Sequence, residues 1–311
     1  MFLGDMLCLT HKISDRLRLR IPSALRAPAA PHFYVMPQEN GATLLLKHRL
    51  KKFLIHGLAA YGLFWTLVES VGAFFSQVKP DGIVQYSLLV LPSVVYGIWR
   101  ARPISRVELV VPNSDTVLCI EFGDIWSKQG CVAIQVNEFF DSLLGNHVSP
   151  NSLHGQFIQN VLRSQSSDFD KYITKALANA PFENVSRTSG NMKRYKIGTT
   201  AAIDIGPQRY LLFALTKTDI TTLKASASVH ELWDALAGLW AGITIHGNGD
   251  PVSMPLVGGG LSGVGLPARN LLQLLMTSFS YYTKKQKITG RLTIVLPRAM
   301  AKEIDLQELN F

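Results

Sequence analysis

The segment Phe53–Phe75 is the feature that most constrains how this chain can fold. It reads FLIHGLAAYGLFWTLVESVGAFF and carries only two ionisable groups other than tyrosine, His56 near one end and Glu69 near the other. A helix needs about 20 apolar residues to cross the roughly 30 Å hydrocarbon layer of a bilayer. The segment therefore predicts a membrane-spanning helix, against the alternative of a buried core helix. A carboxylate at position 69 would either line a pore or reach the outer interface.

A second apolar segment, Ile83–Trp99, follows a short polar turn. It reads IVQYSLLVLPSVVYGIW, is near the lower length limit for a span, and contains Pro92, which can kink a helix. We predict a second membrane helix here, again against the alternative of a buried core helix. The expected division is a basic, flexible segment over residues 1–46, two transmembrane helices within 47–103 (about 53–75 and 83–99), and a C-terminal domain over 104–311.

The distribution of charge predicts the orientation of these spans. Charged residues are only 17% of the sequence, against about 25% in average soluble proteins, and the formal net charge is +9. Residues 1–52 hold nine Lys or Arg and three acids, whereas residues 107–311 hold 18 and 17. Basic residues precede the first span and follow the second, so the positive-inside rule places both termini in the cytoplasm. The nearly neutral C-terminal part gives no electrostatic reason to expect nucleic-acid binding.

The N-terminal segment carries few other signals. No apolar run within residues 1–30 is long enough for a signal-peptide core, so we expect no secretion signal. Met36 is an alternative start, which would leave a short polar leader before the first span. Three cysteines, Cys8, Cys119 and Cys131, form no C-x-x-C pair and are expected as buried apolar residues in a reducing compartment.

After Arg106 the pattern changes to short β-rich runs that alternate with helical ones. The predicted strands are Val107–Val111, Thr116–Phe122, Cys131–Val136, Lys196–Ile203, Arg209–Thr216, Val252–Val257 and Arg291–Leu296. The predicted helices are Ser152–Arg163, Asp168–Asn179, one that opens at the capping box Ser228–Glu231 and contributes Trp233 and Trp240 to the core, and one from Pro267 to Tyr282. This alternation predicts an α/β fold, a three-layer α/β/α domain with a mainly parallel mixed sheet, preceded by the transmembrane hairpin.

The glycine-rich segment Met254–Pro267 is the most informative motif. Its glycines 258, 259, 260 and 263 follow an apolar strand and precede a helix, and glycine lets backbone N–H groups approach phosphate oxygens. Ser262 could add a hydroxyl donor. The spacing also fits the dinucleotide fingerprint, but that motif needs an acid about 20 residues on, and the first acid after Asp250 is Glu303. A serine-hydrolase elbow fails because Val264 replaces its second glycine. We therefore predict phosphate binding, against the alternative of a plain flexible loop.

The other motifs in the sequence give little information about function. His230-Glu231 lacks the second histidine of a zinc-protease motif, and no Cys/His cluster indicates a metal. We expect neither a metal nor a cofactor.

Four motifs resemble those of macrodomains in order and spacing over residues 107–300. They are Gly123-Asp124-Ile125, Ala133–Asn137, Ser149–Gly155 and Met254–Gly263. The resemblance implies that Asp124 accepts a hydrogen bond from the adenine amino group beside the Ile125 backbone, and that Asn137 lies near the distal ribose. It also implies that two loops enclose the diphosphate, with the contacts Ser152, Leu153, His154, Gly155, Gly258, Gly259, Gly260, Leu261, Ser262 and Gly263.

Two departures from the macrodomain pattern bear on activity. Catalytic macrodomains usually read Asn-Ala-Ala-Asn, whereas this chain reads Asn137-Glu138-Phe139-Phe140, so Phe140 replaces the second asparagine. The first loop also lacks the usual run of glycines. Both departures favour a protein that binds its ligand over one that hydrolyses it.

Two spans joined to such a domain resemble the membrane-macrodomain effectors of Thoeris antiphage defence, and the phrases Tyr195–Thr200 and Arg209–Asp219 fit that family. The resemblance implies a multi-pass protein of the bacterial inner membrane with a cytoplasmic macro-like domain. It implies a ligand derived from ADP-ribose, expected as histidine-ADP-ribose, made by a partner TIR-domain protein that consumes NAD. The effector would then form homo-oligomers and damage membrane lipid. The alternatives are a membrane-tethered ADP-ribosyl hydrolase and a structural anchor with a vestigial pocket.

Overall fold

The computed structural model describes residues 41–75, 82–163, 165–260 and 263–309. Predictions that fall on residues 1–40, on the turn 76–81 or on Leu261 and Ser262 lie outside the described residues. This includes Cys8. Cys119 and Cys131 are both buried and free, as predicted.

Two long helices open the described chain. They are α1 (Gly41–Phe74) and α2 (Ile83–Arg100). At about 1.5 Å per residue, the 34 residues of α1 extend about 51 Å, so the helix is longer than the hydrocarbon layer and begins well before the span predicted at Phe53. By length and composition, Leu46–Phe74 is the one described helix that satisfies the requirements for crossing a membrane.

The two helices pack against each other through aromatic rings and a close backbone approach. The Trp65 ring stacks on Tyr86 at 5.9 Å, and His56 meets Tyr96 edge-on at 6.4 Å. At Gly97, a Cβ atom would lie 3.0 Å from Phe53, so only glycine lets the helices come this close. The outward faces carry exposed leucine, isoleucine, valine and phenylalanine side chains.

The domain that follows is built on a mixed sheet. Its strands are β1 (Arg106–Val110), β2 (Val117–Phe122), β3 (Cys131–Asn137), β4 (Phe182–Asn184), β5 (Lys193–Tyr195), β6 (Thr200–Ile205), β7 (Gln208–Thr218), β8 (Ala225–Ser226), β9 (Val252–Pro255) and β10 (Arg291–Leu296). The main order is β1-β2-β10-β9-β3-β7-β6, with β8 paired to the end of β7, and β4 and β5 form a separate hairpin. Strands β2, β10, β9, β3 and β7 are parallel to one another, and β1 and β6 close the edges antiparallel.

Helices cover both faces of this sheet. They are α3 (Leu153–Gln156), which continues as the π-helical turn Phe157–Val161, α4 (Ser166–Ala176), α5 (Val229–His246) and α6 (Ala268–Lys285). One apolar cluster lies between the sheet and α5 and α6, with Trp240 and Phe279 at its centre. A second lies on the opposite face, around Phe157 and Phe169. The three-layer α/β/α fold predicted from the alternating pattern is thus confirmed.

The capping box at Ser228 and Glu231 is present with both reciprocal bonds, as predicted. The strand predicted over Lys196–Ile203 is confirmed only in its second half, which belongs to β6. Residues 196–199 lie between β5 and β6 and contain a turn at Gly198, with φ +91°. A Cβ at Gly198 would lie 2.9 Å from the Asp234 carbonyl oxygen on α5. Glycine at this position therefore allows α5 to pack closely against the turn. Trp233, predicted as core, is only partly buried and faces Tyr281.

Candidate functional site

The candidate site lies at the edge of the sheet where the parallel strands have their carboxyl ends. The segments that leave β2, β3 and β9 begin there, because parallel strands end on the same side. The Gly123 N–H donates to the Leu296 carbonyl at the end of β10. The 3-10 turn Ile125–Ser127 also contacts β9. Three of the four predicted motifs are therefore brought to one edge.

Asp124 follows β2 as an exposed residue. One carboxylate oxygen accepts from the Trp126 N–H at 3.1 Å, which caps the 3-10 turn, while the Ile125 side chain is buried beneath. The Trp126 indole N–H donates to the Gln156 side-chain oxygen at 2.9 Å. This bond joins the turn after β2 to α3 in the first predicted phosphate loop. Neither Trp126 nor Gln156 was expected from the sequence.

Asn137 ends β3 with its side chain committed to a buried network. Its amide nitrogen donates to Asp141 Oδ2 and its amide oxygen accepts from the Asp141 N–H, each at 3.0 Å. The Asp141 carboxylate also accepts from Arg187 Nη1 at 3.1 Å and from the Asn191 N–H at 2.8 Å. Asp141 and Arg187 side chains are fully buried. The network was missed in the sequence because its members lie about 50 residues apart.

The first phosphate loop places its residues in different surroundings. Ser152 caps α3 by accepting from the Gly155 N–H at 3.0 Å. At Gly155 a Cβ would lie 2.2 Å from the Ser149 carbonyl oxygen, so this glycine is required by a close turn. Leu153 is partly buried. His154 points into the core, where its ring packs on Phe169 at 5.3 Å, so the imidazole does not face a ligand.

We expect His154 to make stability depend on pH. Burial lowers the pKa of this histidine to about 3, opposed by a hydrogen bond with the Asp141 backbone. Its folded pKa lies below the usual value of about 6.5, so the unfolded chain binds the extra proton. The free energy of unfolding should fall by about 1.7 kcal/mol between pH 6.5 and pH 5, because its slope approaches 1.36 kcal/mol per pH unit only as the unfolded histidine becomes protonated. Urea denaturation measures the free energy of unfolding at each pH in this range. That free energy should change less with pH in His154→Leu than in the wild type. Equal slopes in both proteins would contradict the assignment.

The second loop begins at Gly258. Two buried residues, Leu256 and Val257, separate it from the end of β9. Gly258 has φ +86°, and a Cβ there would lie 3.0 Å from Leu232 and 3.1 Å from Leu271, so this glycine serves the packing. At Gly259 a Cβ would make an ordinary 3.8 Å contact with Leu271, and at Gly260 it would meet none of the described residues within 4 Å. Gly260 and Gly263 have φ values of +60° and +66°. Two successive glycines without a close contact to the described residues suit the approach of a phosphate to the backbone.

Phe140 occupies the position at which hydrolytic macrodomains are expected to carry an asparagine. Its side chain is fully buried, meets the Tyr195 ring edge-on at 5.4 Å, and has φ +49°. Asn191 holds its carbonyl oxygen with a 2.7 Å hydrogen bond. No polar group is presented at this position.

A cavity of about 620 Å³ lies beside the end of β3. Its walls combine aromatic rings from β4 and β5 with charges of both signs, including Glu138, Arg194, Lys217 and Glu231. Burial raises the pKa of Glu138, although a hydrogen bond from the Thr218 N–H and the Arg194 charge oppose this. Glu138, which lines the cavity, is the next residue after Asn137, the residue predicted to lie near the distal ribose.

We expect Asp124→Ala to weaken binding of ADP-ribose by about 1–3 kcal/mol, the loss of a charge-assisted hydrogen bond. Isothermal titration calorimetry measures this directly. Asp115→Ala, an exposed acid in the turn before β2 at the opposite edge of the sheet, is the matched control and should bind normally. Equal affinities for the two variants would remove Asp124 from the site.

The sequence and the fold were compared with those of known proteins. A family model described as "Thoeris protein ThsA, Macro domain" matches residues 118–297. Similar solved structures include a macrodomain from Oceanobacillus iheyensis with ADP, at 10% identity and a TM-score of 0.45, which covers 65% of this chain and 94% of that chain. The same macrodomain with MES bound gives 11% identity, a TM-score of 0.45, and coverage of 65% and 94%. No curated protein matches the sequence.

The strand order, the helices on both faces and the loops at the carboxyl edge define a macrodomain. Since the family model spans more than half of the sequence, the chain belongs to the family of Thoeris ThsA macro-domain proteins. The resemblance that rests on the four sequence motifs is therefore confirmed.

Proposed function

We propose that this protein is a ligand-gated membrane effector of Thoeris antiphage defence, in which the macrodomain binds a signal derived from ADP-ribose. The observation that carries the proposal is the loop after β9, where Gly259 and Gly260 offer backbone with room beside it. Asp124 supplies an exposed carboxylate at the same edge for the adenine. The ligand is a signal and not a cofactor.

The protein acts as a binder and not as an enzyme. Phe140 presents a buried ring where hydrolysis would need a polar group, and the Asn137 amide is engaged by Asp141. The competing function is a membrane-tethered ADP-ribosyl hydrolase. Incubation of the protein with ADP-ribosylated substrate separates the two, since release of ADP-ribose would support the hydrolase.

The cavity beside Glu138 supports a ligand that extends past the distal ribose. Its walls carry both charges, which suits a zwitterionic group such as an amino acid, and histidine-ADP-ribose is the proposed signal. A partner TIR-domain protein that consumes NAD is the proposed source. Tighter binding of the conjugate than of ADP-ribose would support this extension.

The hairpin of α1 and α2 is the proposed membrane-acting part, in a multi-pass protein of the bacterial inner membrane with a cytoplasmic macrodomain. Its outward faces are apolar, and Glu69 is exposed on α1. Two helices cannot enclose a pore, so permeabilisation requires several copies of the chain. A ligand can promote such assembly only through a higher affinity for the assembled state.

We expect ligand to release dye from liposomes that contain the full-length protein. A fragment without residues 1–103 should release none, because it lacks the hairpin. A cysteine placed at Pro150 should be labelled only by reagents that reach the cytoplasm. Equal toxicity of the fragment in cells, or labelling of position 150 from outside, would contradict the proposal.

A further inference from the structure

The N-terminal part of α1 reaches beyond the predicted span and contacts the last turn of the chain. His48 and Lys52 lie one helical turn apart on the same face of α1. Lys52 Nζ lies 3.2 Å from Asp305 Oδ2 and 2.9 Å from Gln307 Oε1. His48 Nδ1 lies 2.9 Å from Glu308 Oε1. The 3-10 turn Leu306–Glu308 is therefore fastened to α1 at two successive turns.

The same 3-10 turn also holds the second helix of the hairpin. Gln307 Nε2 donates to the Arg102 carbonyl oxygen at 2.9 Å, two residues after α2 ends. One side chain thus bridges Lys52 of α1 and the exit of α2. A displacement of this turn would act on both helices together.

The opposite side of the turn is bound to the helix that follows the glycine loop. Glu308 Oε2 lies 3.0 Å from Arg269 Nη2, and Arg269 is the second residue of α6, six positions after Gly263. Val257, Leu271, Ile304 and Leu306 belong to one buried apolar cluster. The residue before the glycine loop, α6 and the C-terminal turn therefore share one apolar layer, and the Arg269–Glu308 pair joins the turn to the start of α6.

The Lys52–Asp305 and Arg269–Glu308 ion pairs differ in their exposure to water. The side chains of Lys52 and Asp305 are 20% and 6% exposed, so this pair is largely shielded from water. Arg269 and Glu308 are 59% and 21% exposed, and such a pair contributes little by itself. A small movement of α6 can shift the exposed Arg269–Glu308 contact at little energetic cost, and the displaced turn then carries the shielded Lys52–Asp305 pair with it.

We propose that the cluster of Lys52, Arg269, Asp305, Gln307 and Glu308, here named the foot contact, transmits ligand binding from the glycine loop to the membrane hairpin. This inference rests on the proposed function. Phosphate oxygens that seat against the loop shift the first turn of α6, the Arg269–Glu308 pair adjusts, and the hold of the 3-10 turn on both helices changes. Linkage requires that ligand and hairpin state influence each other by the same factor.

Hydrogen–deuterium exchange of the full-length protein in lipid nanodiscs tests this coupling, with ADP-ribose as the probe. In the wild type, ADP-ribose should slow exchange in the glycine loop and change exchange at residues 46–52 and 303–309 by about fivefold or more, the lower end of typical coupling factors. Arg269→Met and Glu308→Gln should keep the loop response and lose the response at residues 46–52. Glu303→Gln removes an exposed acid five residues from Glu308 and should respond as the wild type does.

The possible outcomes separate the two proposals. A loop response in the wild type without any change at residues 46–52 overturns the foot contact as the transmitter and leaves the proposed function standing. A full response at residues 46–52 in both variants overturns the foot contact in the same way. If neither ADP-ribose nor its amino-acid conjugates bind, the proposed function falls and this inference falls with it.

Discussion

Gly259→Val should abolish binding of ADP-ribose while the domain stays folded. A Cβ at this position makes only an ordinary contact with Leu271, so the fold admits a side chain, but its methyl groups occupy the space from which phosphate would approach the backbone. We expect the dissociation constant to rise by more than about 100-fold, or about 2.7 kcal/mol. Calorimetric titration measures it, and the thermal unfolding midpoint reports whether the fold is kept.

Gly290→Val is the matched control for this substitution. Gly290 precedes β10 at the amino edge of the sheet, and an added Cβ there meets no atom of the described residues within 4 Å. The two variants add the same side chain at opposite ends of the domain. Binding that is unchanged in Gly259→Val, or lost equally in Gly290→Val, would contradict the role given to the second loop.

Arg187→Met should destabilise the domain by about 3–5 kcal/mol, a large share of a typical total of about 5–15 kcal/mol. The guanidinium is buried against the equally buried Asp141 carboxylate and lies 4.2 Å from the centre of the Phe139 ring. Methionine keeps much of the volume but leaves the carboxylate without its cation. Urea denaturation measures the loss, and the variant should also bind ADP-ribose more weakly because Asn137 depends on the same network.

Lys171→Met serves as the control for removal of a cation. Lys171 pairs with Asp168 at 2.9 Å on an exposed helix surface, where such pairs contribute about 0–1 kcal/mol. A similarly small loss in Arg187→Met would show that the buried network does not hold the loop after β3.

The strand pattern and the turn chemistry could be predicted from the sequence because they are local. The apolar run at β3, the capping box at Ser228 and the final strand over Arg291–Leu296 were all predicted with correct bounds or nearly so. The short strands β4, β5 and β8 were missed, since two or three residues carry no measurable periodicity.

The candidate site was predicted less completely because it depends on contacts between distant segments. Motif order indicated Asp124 and the glycine loop as candidates, but no local signal showed that Asp141 would be paired with Arg187. The same limit applies to His154, whose place beside Phe169 in the core follows from how α3 and α4 pack. The foot contact joins residues more than 250 positions apart and has no sequence signature at all.

Calorimetric titration of ADP-ribose into the full-length protein tests the central claim most directly. We predict saturable binding of one ADP-ribose per chain, reduced by Asp124→Ala and lost in Gly259→Val, with no release of product. If the folded protein binds neither ADP-ribose nor its amino-acid conjugates, or if Gly259→Val binds as tightly as the wild type, the assignment of this edge of the sheet as the ligand site is wrong.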